Sequence, residues 1–342
     1  VSEVLDRLRR PLRNLRLSVT DRCNLRCAYC MPEASYRWLE QREVLSFEEL
    51  ATLVDRFGAL GVRRVRLTGG EPLVRRDLPR LVAMLATRPW LEDLALTTNG
   101  VLLAGLASAL KAAGLKRLTV SLDTLDPERF SKLTRRDTHG AVLEGLSAAA
   151  SAKFPGGLKL DTVVMRGVND DEAVRLLDYA ATLGAELRFI EYMDVGGATR
   201  WRREDVVSRA ELLARLGETL GPIEPLVERT SAPAERFRLA DGRTFGIIAS
   251  TTQPFCRSCD RARVTADGTF FTCLYAARGF DLKTPLRAGL PAHELEALLR
   301  ARWSERSDRG AEQRLALEAR GPLATAQELE AEPRLEMHTR GG

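Results

Sequence analysis

Apolar positions cluster in six short runs over the first two hundred or so residues, at 15–19, 63–67, 94–97, 118–122, 159–164 and 186–192. Runs of this length, rich in Val, Ile and Leu, predict β-strands. Most are separated by stretches such as "SFEELATLVDRFGAL", "DLPRLVAMLATRP" and "DDEAVRLLDYAATLG", whose apolar residues recur at helical spacing. A strand followed by a helix, repeated about every thirty residues, predicts a parallel sheet. Several of the runs end in polar or glycine-rich residues: Ser18 and Thr20, "TGGEP" at 68–72, "TTNG" at 97–100 and "SLD" at 121–123. In barrels and open parallel sheets the loops at the carboxyl edge of the strands form the active site.

The pattern changes after about residue 195. "WRREDVVSRAELLARLGETLG" predicts a helix, and "ERFRLADGRTFGIIAS" and "RARVTADGTFFTCLY" predict hairpins turned at Asp-Gly. Two further helices are expected near 291–303 and 307–317, before a polar, proline-bearing tail. The expected division is a first domain over 1–214 and a smaller one over 215–342. A chain of 342 residues, 44 % hydrophobic, suits one large α/β domain with an appendage. Its 52 basic and 47 acidic residues leave a net charge of +5. That small excess favours an anionic ligand and does not make a nucleic-acid binder. The N-terminal "VSEVLDRLRRPLRNLRL" has no long apolar run, so neither a secretory signal nor a membrane span is expected, and the protein is read as cytoplasmic.

In a reducing compartment, close cysteine spacings favour metal ligation or redox chemistry over structural disulfides. The six cysteines fall into two groups of three: Cys23, Cys27 and Cys30 in "TDRCNLRCAYC", and Cys256, Cys259 and Cys273 around a predicted hairpin. The first loop follows the first strand, so it should sit on the active-site edge. Structural zinc takes four protein ligands, and no fourth Cys or His lies near the first group; His139 is the first histidine of the chain. A [4Fe–4S] cluster on three cysteines leaves one iron open to another ligand, which suits chemistry. Zinc is the rival at the second group, again without a fourth ligand. Three thiols and an open position occur twice.

The first loop resembles the signature of the radical S-adenosylmethionine superfamily, with Tyr29 at the aromatic position before the third cysteine. "TGGEP" resembles that superfamily's second motif. The resemblance tightens to the molybdenum cofactor biosynthesis protein A family, the GTP 3′,8-cyclases. It is carried by "NLRLSVTDRCNLRCAYCMP", "RRVRLTGGEPLVRRDL", "LTTNG", "VSLDTLDPERF", "VVMRGVNDDE", "RFIEYMDVG", "DRARVTADG" inside Cys-x2-Cys-x13-Cys, and the terminal Gly341-Gly342. It runs through nearly the whole chain and is weakest at roughly 275–335.

This resemblance implies an α/β fold, an incomplete (β/α)6 TIM-like barrel with a smaller C-terminal α+β domain closing the barrel mouth. It implies two [4Fe–4S] clusters and S-adenosylmethionine. Tyr29, Gly70, Glu71, Thr98, Asn99, Ser121 and Met193 would contact S-adenosylmethionine. GTP, the substrate, would be held through its guanine by the second cluster and through its phosphates by Arg16, Arg66, Lys159, Arg261 and Arg263, with Arg64 a weaker candidate. Phosphates call for bidentate cationic donors, and alternation puts Arg261 and Arg263 on one face of their strand. Arg16, Arg261, Arg263 and the tail glycines Gly341 and Gly342 would serve catalysis. The implied reaction is reductive cleavage of S-adenosylmethionine to a 5′-deoxyadenosyl radical, abstraction of H3′ from GTP, and closure to (8S)-3′,8-cyclo-7,8-dihydroguanosine 5′-triphosphate. The implied partners are a reductant or electron-transfer protein, the downstream C-subunit that makes cyclic pyranopterin monophosphate, and a second copy in a homodimer; no membrane or nucleic acid is expected. Two departures stand out: Asp161 replaces an asparagine usual in the family, and Arg340 sits where a small or apolar residue is commoner. A carboxylate at 161 would repel phosphate unless protonated or paired. The rivals are a radical enzyme acting on a peptide, expected to carry more cysteines, and a zinc-bound nucleic-acid module, expected to show clustered lysines and interleaved aromatics.

Overall fold

Strands form at all six expected places: β1 (Asn14–Ser18), β2 (Arg64–Thr68), β3 (Asp93–Thr98), β4 (Arg117–Ser121), β5 (Leu158–Val164) and β6 (Glu186–Glu191). They pair side by side in chain order, all parallel. The computed structural model describes every residue except 1, 2, 34, 229 and 342. Alternation separates two faces: on β1, Leu15 and Leu17 are buried in the main hydrophobic core, while Arg16 lies on the opposite face. Leu67, Leu96, Leu118 and Leu160 continue that core, each leucine contributing about 1.5–3 kcal/mol by leaving water.

The helix Phe47–Ala59 starts where expected because Ser46 and Glu49 form a reciprocal capping box. The run 201–221 differs from expectation: its α-helix spans Arg209–Leu220, started by a second capping box between Ser208 and Glu211. Ahead of it the backbone is committed elsewhere, with Val206 bridging to Met165 and the Trp201 indole donating to the Tyr192 carbonyl. The stretch 307–317 is helical over Gly310–Leu315, the carbonyl of Asp308 being taken by Arg10. His139–Ala152, an alanine-rich helix, was not singled out by periodicity; Val142, Leu146 and Ala149 pack it into the core.

Among the described residues six more strands follow residue 214: β7 (Ile223–Leu226), β8 (Glu235–Leu239), β9 (Thr244–Ile248), β10 (Arg261–Val264), β11 (Thr269–Phe271) and β12 (Phe280–Asp281). Both predicted hairpins are present, as β8–β9 and β10–β11. They add to the edges of the same sheet, β9 pairing parallel with β6 and β10 parallel with β1. Among the described residues the order is β12-β11-β10-β1-β2-β3-β4-β5-β6-β9-β8-β7. The parallel sheet is thus prolonged by one strand on each side.

Candidate active site

The pairing of β10 with β1, and of β1 with β2, brings Arg263, Arg16 and Arg66 into one register row. Neighbouring strands lie about 4.8 Å apart and side chains at matched positions share a face, so three guanidiniums stand in file across the barrel wall. Like charges placed opposite one another are unfavourable. Burial, then Arg263, Arg66 and Arg261, hold the Arg16 guanidinium well below its ordinary range, with Asp161 acting in the other direction. Burial and Arg188 bring Arg66 down to about 9, and burial brings Arg263 down to about 10. Arg66 donates to the hydroxyls of Thr97 and Thr119 at 2.9 and 3.0 Å, and Arg263 to the carbonyls of Arg340 and Gly341 at 3.0 and 2.9 Å. The carboxylates of Asp161 and Asp93 act on Arg66 in the opposite direction to burial. The row faces a cavity of about 1030 Å³ that Arg64, Lys159 and Arg261 also line.

Cys23, Cys27 and Cys30 line the same cavity, on the loop after β1. Backbone bonds fasten that loop to the one after β2: the Gly70 N–H donates to the Thr20 carbonyl at 2.9 Å and the Glu71 N–H to the Arg22 carbonyl at 2.8 Å. A Cβ at Gly70 would lie 2.6 Å from the Asp21 carbonyl oxygen and closer still to that of Arg22, so glycine is required for the close approach. Glu71 accepts from the Thr98 hydroxyl and the Asn99 N–H, both at 2.7 Å, and from the Leu73 N–H at 2.9 Å. Asn99 reaches Asn24 at 2.7 Å and the Cys23 sulfur at 3.9 Å. The Tyr29 hydroxyl donates to Asp123 at 2.7 Å. Ser121 and Met193 complete this end of the lining. Burial pushes the Cys23 thiol up to about 11 and raises Cys27 and Cys30 further.

Cys256, Cys259 and Cys273 line the cavity with Phe255 and Tyr275. Burial raises Cys256 and Cys273. Cys259 is lowered: burial opposes the thiolate, and Arg261 and Arg306 together overcome it. Their guanidiniums lie 3.8 and 3.4 Å from its sulfur. All six cysteines are free thiols.

The tail enters between these two groups. The Gly341 carbonyl accepts from Arg16 at 2.8 Å, and its φ of +67° with a Cβ position against Thr68 and Ser18 accounts for glycine there. Gly342 lies outside the described residues. Arg340, the unexpected residue, is buried on the Phe271 ring, 4.1 Å from its centroid, and donates to the Leu274 carbonyl at 2.7 Å. Asp161, the other departure, is paired with Arg188 at 2.7 Å. Lys159 meets Glu186 at 2.7 Å.

The Radical SAM superfamily profile matches residues 17–180, and the Molybdenum Cofactor Synthesis C profile matches residues 185–312. A GTP 3′,8-cyclase 1 of Mycobacterium tuberculosis is 54 % identical to this chain over 343 residues, covering 99 % of the chain and 95 % of the relative. This chain belongs to the GTP 3′,8-cyclase family. Another of the family's proteins, from Acidothermus cellulolyticus, is 51 % identical over 96 % of the chain and 93 % of its own length. Streptococcus suis SuiB, solved with S-adenosylmethionine, matches the fold with a TM-score of 0.61 at 13 % identity, over 90 % of this chain and 72 % of that one. The fold is therefore the radical S-adenosylmethionine partial barrel expected from the sequence.

Cys23, Cys27 and Cys30 lie in the segment that the Radical SAM superfamily profile matches, and three thiols suit a [4Fe–4S] cluster with one iron open. Each group offers three free thiols to the cavity. His139 is occupied elsewhere, its Nε2 3.3 Å from the Thr124 carbonyl and its ring against Phe130. Sequence reasoning missed Arg188, Asp123 and Arg306. Arg188 lay unmarked in the quoted stretch "RFIEYMDVG", and Asp123 in "VSLDTLDPERF"; Arg306 carried no sequence signal at all.

Proposed function

We infer that this chain is a GTP 3′,8-cyclase, converting GTP to (8S)-3′,8-cyclo-7,8-dihydroguanosine 5′-triphosphate for molybdenum cofactor biosynthesis. The observation that carries the reading is the row Arg263, Arg16 and Arg66 lining one cavity together with both cysteine triads. Cys23, Cys27 and Cys30 would hold the [4Fe–4S] cluster that binds S-adenosylmethionine, and Cys256, Cys259 and Cys273 a second one facing the guanine. When bound, the first cluster and S-adenosylmethionine supply the 5′-deoxyadenosyl radical that removes H3′ from GTP.

The chain's own residues bind, orient and exclude water. The arginine row offers forked donors to the triphosphate, and its mutual repulsion is relieved when that anion enters. Arg261 adds charge beside Cys259. Asp161 is neutralised by Arg188, so it does not repel the phosphates. Tyr29, Thr98, Asn99, Ser121 and Met193 would border the nucleoside of S-adenosylmethionine, and Gly70 and Glu71 its methionyl end. The Gly341 carbonyl, bonded by Arg16 and Arg263, sets those two guanidiniums toward the substrate. A low-potential reductant, the downstream C-subunit and a second copy of the chain complete the proposed setting, in the cytoplasm. Among the described residues no helix is long and apolar enough to cross a membrane.

The test is an anaerobic incubation of iron–sulfur-reconstituted protein with S-adenosylmethionine, dithionite and GTP, followed by mass spectrometry. The expected result is 5′-deoxyadenosine together with a new isomer of GTP. Deoxyadenosine with GTP unchanged would remove the substrate assignment.

A further inference from the structure

Behind the C-terminal cysteines, three charged side chains are buried together. Asp6, Arg10 and Arg306 are 5 %, 2 % and 3 % exposed. Asp6 accepts from Arg10 Nε at 2.6 Å and from Arg306 Nη1 at 3.2 Å. The other faces of both guanidiniums turn onto the cysteine loop. Arg10 Nη1 donates to the Cys256 carbonyl at 2.8 Å, and Arg306 Nη1 to the Cys259 carbonyl at 2.7 Å. Arg306 Nη2 is 3.4 Å from the Cys259 sulfur itself. Packing leaves Arg306 no other place: it lies on the Trp303 ring, 4.5 Å from the centroid, and the Trp303 indole donates to the Arg10 carbonyl at 3.1 Å. Its own carbonyl accepts from the Arg7 N–H at 3.1 Å.

Stability alone accounts poorly for this cluster. Buried ion groups are often matched or bettered by apolar side chains of similar volume, and here two buried cations share one buried aspartate, with the half-buried Asp308 3.9 Å from Arg306. What an apolar replacement could not do is donate to sulfur. A charge-assisted N–H···S bond withdraws electron density from a thiolate ligand and favours the reduced cluster. Arg261 approaches the same sulfur from the cavity side at 3.8 Å, but it also faces the substrate space, whereas Arg306 is outside the cavity lining.

We propose that Arg306, fixed by Asp6, is a positioning residue for the auxiliary site: its bond to the Cys259 sulfur raises the reduction potential of the cluster held by Cys256, Cys259 and Cys273. The proposal rests on the two-cluster reading above. The test is potentiometric electron paramagnetic resonance on the full-length reconstituted chain carrying Cys23→Ala, Cys27→Ala and Cys30→Ala, so that the C-terminal cluster alone reports. Adding Arg306→Met should shift the midpoint to a more negative value, and Arg306→Lys, which keeps the charge but not the fork, should fall between. Midpoints unchanged in both variants, with iron content equal to the parent, would overturn the proposal. If Arg306→Met loses its iron, Arg306→Lys decides; loss from both would reduce Arg306 to holding the loop and overturn the tuning role. A parent with no cluster signal would instead sink the two-cluster reading, and this inference with it.

Discussion

Asp161 and Arg188 illustrate what single residues can and cannot disclose. An aspartate at 161 reads from the sequence as an obstacle to a phosphate ligand. The β5–β6 register sets it directly beside Arg188, and the pair closes at 2.7 Å. That register is a matter of strand pairing, which no local motif encodes. The cysteines were legible because three thiols within eight residues have few uses; Arg306 was not, because its role depends on a sulfur 47 positions away. Glu71 carries a pH signature. Burial pushes its carboxyl up to about 7, opposed by the Asn99 N–H and the Thr98 hydroxyl. Between its ordinary value and about 7 the folded chain binds this proton more tightly than the unfolded chain does. The contribution to stability is therefore full at acid pH and lost as pH rises through about 7. In urea denaturation of the cluster-free protein, the stability of wild type relative to Glu71→Gln should fall between about pH 5 and pH 7.5, by up to about 3 kcal/mol. A difference independent of pH would refute the assignment.

At the scale of elements, short apolar runs set between helical stretches placed all six barrel strands within a residue or two, because each strand buries one face against helices and cannot slip without exposing it. Helix boundaries were less legible where a cap or bridge interrupts an amphipathic run, as at Ser208 and Val206. The joining of β10 to β1 and β9 to β6 was not legible either, since both partners lie far apart in the chain. The contact between the loops after β1 and β2 is the element-level feature on which the cofactor end depends. Gly70→Ala sets a Cβ against backbone carbonyls that have no room to yield. Displacing the Cys23 loop by about 1 Å should slow 5′-deoxyadenosine formation about 100-fold. The far-ultraviolet circular dichroism should stay that of the wild type, because the strands themselves are untouched. A Gly70→Ala protein that forms 5′-deoxyadenosine at the normal rate would show that the loop contact does not govern the site.

Across the whole molecule, residues from both ends of the chain meet in one space. The N-terminal Asp6 and Arg10 brace the C-terminal cysteine loop, and the C-terminal Gly341 is bonded by Arg16 of the first barrel strand. Asp194, beyond β6, accepts from Arg314, Arg320 and Tyr275, fastening the late segment over the barrel. Both cysteine triads and the cationic side chains of Arg16, Arg66, Arg261 and Arg263 line one cavity. The proposed function requires GTP bound in this cavity to present its ribose to the site of Cys23, Cys27 and Cys30. The most direct measurement uses GTP carrying deuterium at C3′ with reconstituted wild-type protein, S-adenosylmethionine and dithionite under anaerobic conditions. Transfer of the deuterium into 5′-deoxyadenosine, with matching loss from the cyclised nucleotide, is the predicted result. Deoxyadenosine free of deuterium beside intact labelled GTP would contradict it.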